Sequence, residues 1–431
     1  MRSITVIAIV IAMAAFSCTA VKSTQNTLDA VLSMQQRHQH HAGLVIFDPE
    51  AGHTVVEHNA DKYFTPASNT KVLTLYTAIN TLTDSLPGIY YIENADSLIF
   101  WGTGDPSLLN PELPASKVLE FLYGIEKKLY FSSANYKDQH FGPGWAWDDY
   151  MYTFSAEKSP MPIYGNMVSV KADKGKLSID QPYFKRYFWL GDTIAGAPSI
   201  IRDLNSNDIY YFPSSSARSL SDRVPFQYSD WLFTQALADT LNRTVSLTNL
   251  PLPEEHRTLY SIPADSAYKV MMQESDNFIA EQLLLVCSSL SLSYMETEGV
   301  INHAKSEYFQ GMPDAPVWVD GSGLSRYNLF TPRSMVWLWH ELYKKIPADR
   351  LMSLISSGGE AGTLKEYYRA EKPYIYGKTG TLSNNHNLSG FLKTKNGKLY
   401  IFAFMNNNYP VKSAAIKKDM EQILHDVYLN N

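Results

Sequence analysis

Apolar positions near the start of the chain predict a helix followed by a β-hairpin. Residues 28–32 carry leucine and valine at helical spacing. Residues 43–47 and 54–57 have the composition of strands, and Pro49-Glu50-Ala51-Gly52 lies between them as a turn. We therefore expect the first two strands of the fold to pair with each other.

A second helix is predicted to begin near Ser68. Val72, Leu75, Tyr76 and Ile79 recur after it at helical spacing, so the face that carries them should be buried. Ser68 would then stand at the N-terminus of a helix that directly follows a hairpin.

The middle of the chain, residues 94–259, differs from both ends. It is denser in Pro, Gly, Ser and Tyr, and it mixes short strand-like runs with one good helix near residues 230–241. From Ser266 onward the pattern returns to long helices. We therefore interpret the middle segment as an insertion.

Near the C-terminus, two strand patterns and a helix are predicted. Residues 387–393 and 398–405 flank a turn at Asn396-Gly397, and an amphipathic helix covers about residues 413–428. Strands at both ends of the chain, with helices behind them, predict an α/β (α+β) fold that is closed by its own termini.

Composition and charge narrow the class of protein. The chain has 431 residues, of which 45% are hydrophobic and 13% aromatic, so it can bury a large core over more than one domain. The net charge is -6 and no long basic run is present. We therefore expect no nucleic-acid partner.

The N-terminus has the layout of an export signal. Met1-Arg2 precedes an apolar run over residues 4–16, which small and polar residues follow. We expect an exported protein of the periplasm or cell envelope. Ala15-Phe16-Ser17-Cys18 resembles a bacterial lipobox, so Cys18 is either a lipidated membrane tether or part of an ordinary signal segment that is discarded. Cys287 is the other cysteine, and no disulfide is expected.

Serine and lysine occur together at helical spacing in several places. A lone Ser-x-x-Lys is a weak signal, and this chain has three copies: Ser68 to Lys71, Ser155 to Lys158 and Ser266 to Lys269. The first copy is favoured because free backbone N–H groups at a helix N-terminus stabilise developing negative charge.

Lys71 lies one helical turn after Ser68 and therefore on the same face. An ammonium group cannot accept a proton, so Lys71 acts as a base only if its pKa is lowered. Burial or the positive charge of Lys378 could lower it.

Two further motifs complete a recognisable set. They are Ser275-Asp276-Asn277 and Lys378-Thr379-Gly380-Thr381, the second of which follows a strand-like run. Taken singly, Ser68 and Ser275 could be helix caps and Lys378 an exposed lysine. The three motifs in this order are the signature of penicillin-binding proteins and class A β-lactamases.

On these motifs the sequence resembles the penicillin-binding D-alanyl-D-alanine carboxypeptidase/endopeptidase family of the DacB-like, low-molecular-mass, insertion-bearing type. Further segments look like those of the family and run in its order: residues 104–108, 144–149, 320–328 and 362–364. The long spacing between the first two motifs also matches this group.

The resemblance implies a fold and a domain plan. The fold is a β-lactamase/transpeptidase-like domain, an antiparallel sheet flanked by helices, with a mainly β insertion domain. The plan comprises a signal segment at residues 1–18, a catalytic domain at 24–93 and 260–431, and an insertion at 94–259.

The resemblance also implies catalytic roles. Ser68 would attack the carbonyl of the penultimate D-Ala while Lys71 takes its proton. Ser275 would relay a proton to the leaving amine, Asn277 would hold the substrate amide, and Lys378 with Thr379 would face the terminal carboxylate. Backbone N–H groups of Ser68 and Thr381 would form the oxyanion hole, with Gly380 allowing close approach.

By the same resemblance, a second set of residues would contact the peptidoglycan stem peptide: Asp148, Leu324, Arg326, Leu382 and Ser383. Asp148 and Asp149 could equally be surface acids or a helix cap. The family requires no cofactor, and β-lactam antibiotics would be acylating inhibitors.

Histidines near the N-terminus raise the question of a metal. His38, His40 and His41 lie together without a carboxylate or cysteine at ligand spacing, so we interpret them as surface residues and expect no metal.

Two other functions remain open. One is a β-lactamase or esterase on the same fold, which the long insertion disfavours. The other is a cell-wall binding module without turnover, which the intact Ser68, Lys71, Ser275 and Lys378 disfavour.

Overall fold

A computed structural model describes residues 24–173, 176–215 and 218–430 of the chain. The predicted signal segment and Cys18 lie outside the described residues. Among the helices of the described part, none combines the length and apolar character that crossing a membrane requires.

The described secondary structure is as follows. The strands are β1 (His41–Asp48), β2 (His53–His58), β3 (Ser85–Glu93), β4 (Ser97–Gly102), β5 (Lys128–Ser132), β6 (Met167–Asp173), β7 (Lys176–Ile179), β8 (Phe188–Leu190), β9 (Ser199–Arg202), β10 (Ile209–Phe212), β11 (Leu220–Pro225), β12 (Val245–Leu247), β13 (Arg257–Pro263), β14 (Ser356–Ser357), β15 (Ile375–Leu382), β16 (Asn385–Lys393) and β17 (Leu399–Asn407).

The α-helices are α1 (24–38), α2 (Lys71–Thr81), α3 (Lys117–Gly124), α4 (Asp230–Leu241), α5 (Ala264–Gln273), α6 (Asn277–Leu292), α7 (Thr297–Tyr308), α8 (Pro332–Lys345), α9 (Ala348–Leu354) and α10 (Ser413–Asn430). Short 3₁₀ turns cover Ala67–Thr70, Thr153–Ser155, Tyr164–Asn166, Pro182–Tyr187 and Gly362–Leu364.

The main sheet joins strands from the two ends of the chain. Its order is β14-β15-β16-β17-β1-β2, and every neighbouring pair is antiparallel. The hairpin of β1 and β2 therefore lies beside the last strand, β17. This confirms the predicted fold class, including its closure by the two termini.

Helices cover both faces of this sheet, because its strands are apolar on both sides. On one face, Val45 and Phe391 pack with buried residues of α2 and of α5 to α9. On the other, Leu44 and Phe402 pack against the terminal helices α1 and α10. Successive residues of β1 thus point to opposite cores, as strand geometry requires.

The middle of the chain is mainly β, as predicted. A five-stranded sheet has the order β12-β5-β4-β3-β13, and two three-stranded sheets have the orders β8-β10-β9 and β11-β6-β7. Aromatic and aliphatic residues of these sheets share one core with α3 and α4. The strands β3 and β13, which border the predicted insertion, belong to the five-stranded sheet, and the domain boundaries stay a prediction.

The second Ser-x-x-Lys copy has a structural setting. Lys158 is 1% exposed, and its ammonium donates to Asp138 Oδ2 at 2.7 Å and to Thr297 Oγ1 at 3.0 Å. Through these two contacts, Lys158 connects the loop after β5, which carries Asp138, to the start of α7, which carries Thr297. The third copy is different, since Lys269 is exposed to solvent.

Removing Asp138 should destabilise the protein strongly. The Asp138→Ala variant would leave the Lys158 ammonium buried without its counter-charge, so we expect the free energy of unfolding to fall by about 3–5 kcal/mol. Denaturant titration measures this loss. Lys269→Ala is the matched control and should change stability by less than about 0.5 kcal/mol. Equal losses in the two variants would contradict the assignment.

Candidate active site

Ser68 lies in a tight turn between the hairpin and α2. The structure places it in the 3₁₀ turn Ala67–Thr70, and the α-helix itself begins at Lys71, three residues later than the prediction. Ala67 has φ of +49°, a left-handed conformation that does not continue into a regular helix. The turn leaves the Ser68 side chain half-buried.

Two glycines allow other segments to approach this turn closely. A Cβ on Gly323 would lie 1.9 Å from the carbonyl oxygen of Ala67, and a Cβ on Gly380 would lie 2.4 Å from that of Pro66. Any larger residue would therefore push the segments apart. The motif around Lys378 and the loop after α7 reach Ser68 because glycine stands at these two positions.

Lys71 is fully buried and has three acceptors. Its ammonium donates to Ser68 Oγ at 2.9 Å, to Asn277 Oδ1 at 2.6 Å and to the carbonyl oxygen of Ser322 at 2.7 Å. Burial lowers the pKa of Lys71 to about 8, although nearby acids oppose the shift. A substantial neutral fraction therefore exists near pH 8, in contact with Ser68.

The residues of the second motif, Ser275-Asp276-Asn277, have different roles: Asp276 caps a helix, whereas Ser275 and Asn277 contact the two lysines. Asp276 caps α6 by accepting the backbone N–H of Ile279 at 2.7 Å. Asn277 accepts from Lys71 and donates through Nδ2 to the carbonyl oxygen of Phe154 at 2.9 Å. Ser275 lies between α5 and α6 and has φ of +62°, a left-handed conformation that belongs to neither helix. The cap and the site thus use different residues of one motif.

Lys378 is buried and lies against Ser275 of the second motif. Its ammonium donates to Ser275 Oγ at 2.8 Å and to the carbonyl oxygen of Thr379 at 3.0 Å. Burial, and then the charge of Lys71, lower the pKa of Lys378 well below its usual range. The charge of Lys71 therefore disfavours the protonated form of Lys378, whereas burial is what lowers the pKa of Lys71.

Two buried acids hold the loop that contributes Ser322. Asp320 accepts the N–H groups of Gly323 at 2.8 Å and Ser325 at 2.7 Å. Glu281, on α6, accepts those of Gly321 at 3.0 Å and Ser322 at 2.7 Å. Burial raises the pKa of Glu281 to about 7. The four hydrogen bonds from this loop to Asp320 and Glu281 direct the Ser322 carbonyl toward Lys71.

Sequence reasoning did not identify Glu281. Its signal was an acid in the otherwise apolar run of α6, where a charged side chain needs buried donors.

Ser68 opens into a cleft of about 410 Å³. Several residues predicted from the sequence line it: Ser68, Asn277, Leu324, Arg326, Thr381, Leu382 and Ser383. Arg326 donates to the carbonyl oxygen of Ser383 at 3.1 Å, so the two predicted contact segments touch each other.

The acidic pair Asp148 and Asp149 differs from the prediction that Asp148 is the residue in the cleft. Asp148 is exposed and lies outside the cleft lining, whereas Asp149 is part of that lining. Burial and Asp148 raise the pKa of Asp149, and Arg326 opposes the shift. Adjacent residues of a loop point in different directions, which composition alone does not reveal.

The histidines near the N-terminus were expected to be surface residues, and this is wrong for His40, which is buried. His38 and His40 have polar partners. His38 Nε2 lies 2.6 Å from Asp419, and His40 Nε2 lies 2.9 Å from Asn406 Oδ1. In the described ranges of the chain, the side chains of His, Cys, Asp and Glu form no group that could hold a metal ion.

Comparison with known proteins gives the family. The profile of the D-Ala-D-Ala carboxypeptidase 3 (S13) family matches residues 24–189 and 214–427, which is most of the chain. The chain belongs to this family. It is therefore a serine-type D-Ala-D-Ala carboxypeptidase, as the sequence predicts.

Individual relatives are distant but span the chain. It is 24% identical over 404 residues to the D-alanyl-D-alanine carboxypeptidase DacB of Haemophilus influenzae, covering 82% of this chain and 83% of the relative. It is 21% identical over 459 residues to penicillin-sensitive carboxypeptidase A of Dictyostelium discoideum, covering 88% and 85%.

A solved structure shares the fold. The crystal structure of penicillin binding protein 4 (dacB) from Haemophilus influenzae superimposes with a TM-score of 0.74 at 21% identity, covering 92% of this chain and 99% of that one.

The rate of Ser68 acylation should depend on the ionisation of Lys71. Because only the neutral amine accepts a proton, we expect the rate with benzylpenicillin to rise about tenfold per pH unit below the Lys71 pKa and to level above it. That pKa is about 8. The Asn277→Asp variant places a carboxylate against the ammonium, so its rising limb should move to higher pH.

Stopped-flow measurement of the acylation rate between pH 6 and pH 10 gives the rising limb and the plateau for the protein and for the variant. Asp148→Asn, at an exposed position, is the control and should keep the original limb. A limb that stays in place in Asn277→Asp would argue against Lys71 as the titrating base.

Proposed function

We propose that this protein releases D-Ala from peptidoglycan stem peptides, and cuts their cross-bridges, through an acyl-enzyme on Ser68. The observation that carries the proposal is the 2.9 Å contact between Ser68 Oγ and the buried amine of Lys71, whose pKa is lowered to about 8. A serine hydroxyl attacks an amide only with such a base beside it.

In the first step, Ser68 Oγ bonds to the carbonyl carbon of the penultimate D-Ala and its proton moves to neutral Lys71. Negative charge develops on the carbonyl oxygen. The backbone N–H groups of Ser68 and Thr381 would receive it, and the proposal is supported by the fact that both residues line the same cleft. Asn277, anchored by Lys71 and by the carbonyl of Phe154, would orient the peptide amide.

In the second step, the bond between carbonyl carbon and nitrogen breaks and the leaving amine takes a proton. Ser275 can pass it on, because its hydroxyl accepts from Lys378 at 2.8 Å. A bound substrate carboxylate would favour the charged form of Lys378, which burial otherwise disfavours. Substrate binding thus supplies the proton donor.

Lys71 then gives up to solvent the proton that it took from Ser68, and Lys378 regains one. Water attacks the acyl ester while neutral Lys71 takes its proton, the bond from the carbonyl carbon to Ser68 Oγ breaks, and Lys71 returns the proton to that oxygen. With a β-lactam, the amine stays attached to the acyl group after the ring opens. It continues to occupy the leaving-group side of the cleft. The adduct is therefore expected to persist, as in a penicillin-binding protein.

The cleft beside Ser68 would also recognise the stem peptide. Arg326 and Asp149 line it with opposite charges, together with Leu324 and Leu382. A residue with both an amino and a carboxylate group in its side chain, such as a diamino acid, would match this pair. Asp149, which faces the cleft, is a better contact than the exposed Asp148.

Benzylpenicillin should form a stable adduct on Ser68. Intact-protein mass spectrometry should show a gain of one penicillin mass for the protein, and peptide mapping should place it on Ser68. Ser68→Ala should gain nothing, because the nucleophile is missing. Ser266→Ala, at the third Ser-x-x-Lys copy, is the matched control and should label fully.

Incubation with a D-Ala-D-Ala-terminated peptide should release free D-Ala in the same series. An unlabelled protein that also leaves penicillin unhydrolysed would instead favour a binding module, and rapid penicillin turnover would favour a β-lactamase.

We also propose that the protein is exported to the periplasm or cell envelope and tethered through Cys18. The proposal rests on the charged and apolar layout before this cysteine. A substrate in the cell wall requires export in any case.

Labelling with radioactive palmitate in a bacterial host tests the tether. The full chain should incorporate label and fractionate with membranes, because an acylated cysteine anchors the mature N-terminus. Cys18→Ser should do neither. Cys287→Ser, at a buried position, should still label. A soluble, unlabelled full chain would show that the signal is of the ordinary type.

A further inference from the structure

A second cavity of about 260 Å³ lies against the strand that carries Lys378. Six of its lining residues matter for its chemistry: Thr363, Tyr367, Thr379, Thr381, His386 and Lys417. They come from β15, β16, α10 and the segment of the 3₁₀ turn Gly362–Leu364. Nothing in the family motifs singles out Lys417 or His386.

This cavity adjoins the Ser68 cleft. Thr381 lines both spaces, so it forms the boundary between them. Side chains alternate along a strand, which places Thr379 and Thr381 on one face of β15. Lys378 and Gly380 lie on the other face, toward Ser275 and the Ser68 turn. The threonines therefore present hydroxyl groups to the second cavity.

The polar lining is uncharged except for one lysine. Thr381 Oγ1 lies 2.7 Å from Nδ1 of His386, its partner across the β15 and β16 ladder. Burial, and then the charge of Lys417, lower the pKa of His386 to about 3, so the imidazole is neutral. Thr379 donates to Thr363 Oγ1 at 2.8 Å. Hydroxyl protons of this kind can rotate toward an anion.

Lys417 supplies the positive charge. It lies in the second turn of α10, half-buried, with its ammonium 5.2 Å from the centre of the Tyr367 ring. In the part of the chain that the structure describes, its ammonium has no carboxylate in ion-pair range. Glu421, one turn further along α10, accepts the backbone N–H of Tyr368 at 2.5 Å. That contact fixes the helix to the cavity wall.

The family resemblance already implies that the terminal carboxylate of the substrate lies at Thr379. We propose that Lys417, on α10, is a further specificity residue, the cation that pairs with this carboxylate where the second cavity begins. The inference rests on the proposed function of the Ser68 cleft. When the scissile carbonyl lies between Ser68 and the N–H of Thr381, the next residue of the substrate lies beyond Thr381, where the second cavity begins. Its carboxylate then meets the two threonine hydroxyls and Lys417.

Lys378 is poorly suited to be the sole cation for this carboxylate. It is buried on the opposite face of β15, and its ammonium is engaged by Ser275 and by the carbonyl of Thr379. Lys417 is more exposed and its contact with Tyr367 leaves its donors free to reach an anion. The two lysines thus have separate roles, with proton relay for Lys378 and anion binding for Lys417.

The test compares ligands that differ only in the carboxylate. Benzylpenicillin carries a free carboxylate and its methyl ester does not. We expect Lys417→Met to lower the second-order rate of Ser68 acylation by benzylpenicillin about tenfold, as loss of a hydrogen bond to a charged group implies. Acylation by the methyl ester should be unchanged. Lys417→Arg, which keeps the charge, should retain most of the rate with benzylpenicillin.

Lys418→Met is the matched control, because Lys418 is the exposed neighbour on the same helix. It should leave both rates unchanged. An equal loss with acid and ester, or no loss with either, would overturn the role of Lys417 while the adduct on Ser68 still stood. If the unmodified protein formed no adduct with either ligand, the proposed function would fall, and the cavity inference with it.

Discussion

The burial of the Lys71 ammonium is the constraint on which the rest of the site depends. Removing a charged group from water is unfavourable by several kcal/mol unless buried acceptors replace its hydration. Here the acceptors are Ser68 Oγ, Asn277 Oδ1 and the Ser322 carbonyl. These come from three separate parts of the chain. One lysine therefore joins the Ser68 turn, the start of α6 and the loop after α7 in a single arrangement.

That arrangement requires further buried polar groups. The Ser322 carbonyl can face Lys71 only because Glu281 and Asp320 bind the N–H groups of the same loop. Their negative charges also oppose the lowering of the Lys71 pKa. The site thus balances burial, which favours the neutral amine, against nearby acids, which favour the ammonium. The resulting pKa of about 8 keeps both forms accessible.

Much of the fold could be predicted from the sequence because its signals are local. The hairpin of β1 and β2 and the bounds of α4 follow from apolar periodicity. The three motifs are also local, each within four residues. Other features depend on contacts between distant segments. Whether Asp148 or Asp149 lines the cleft depends on how their loop packs, and the 3₁₀ turn at Ser68 is in close contact with Gly323 and Gly380 of distant segments.

The two faces of β15 would let one short motif take two parts in the proposed reaction. Its alternating side chains send Lys378 toward Ser275 and the threonines toward the second cavity. In the proposed reaction, proton delivery to the leaving amine and binding of the leaving carboxylate would occur on opposite sides of one backbone. Because a strand fixes the directions of its side chains, one arrangement of the protein would both bind and protonate the departing amino acid.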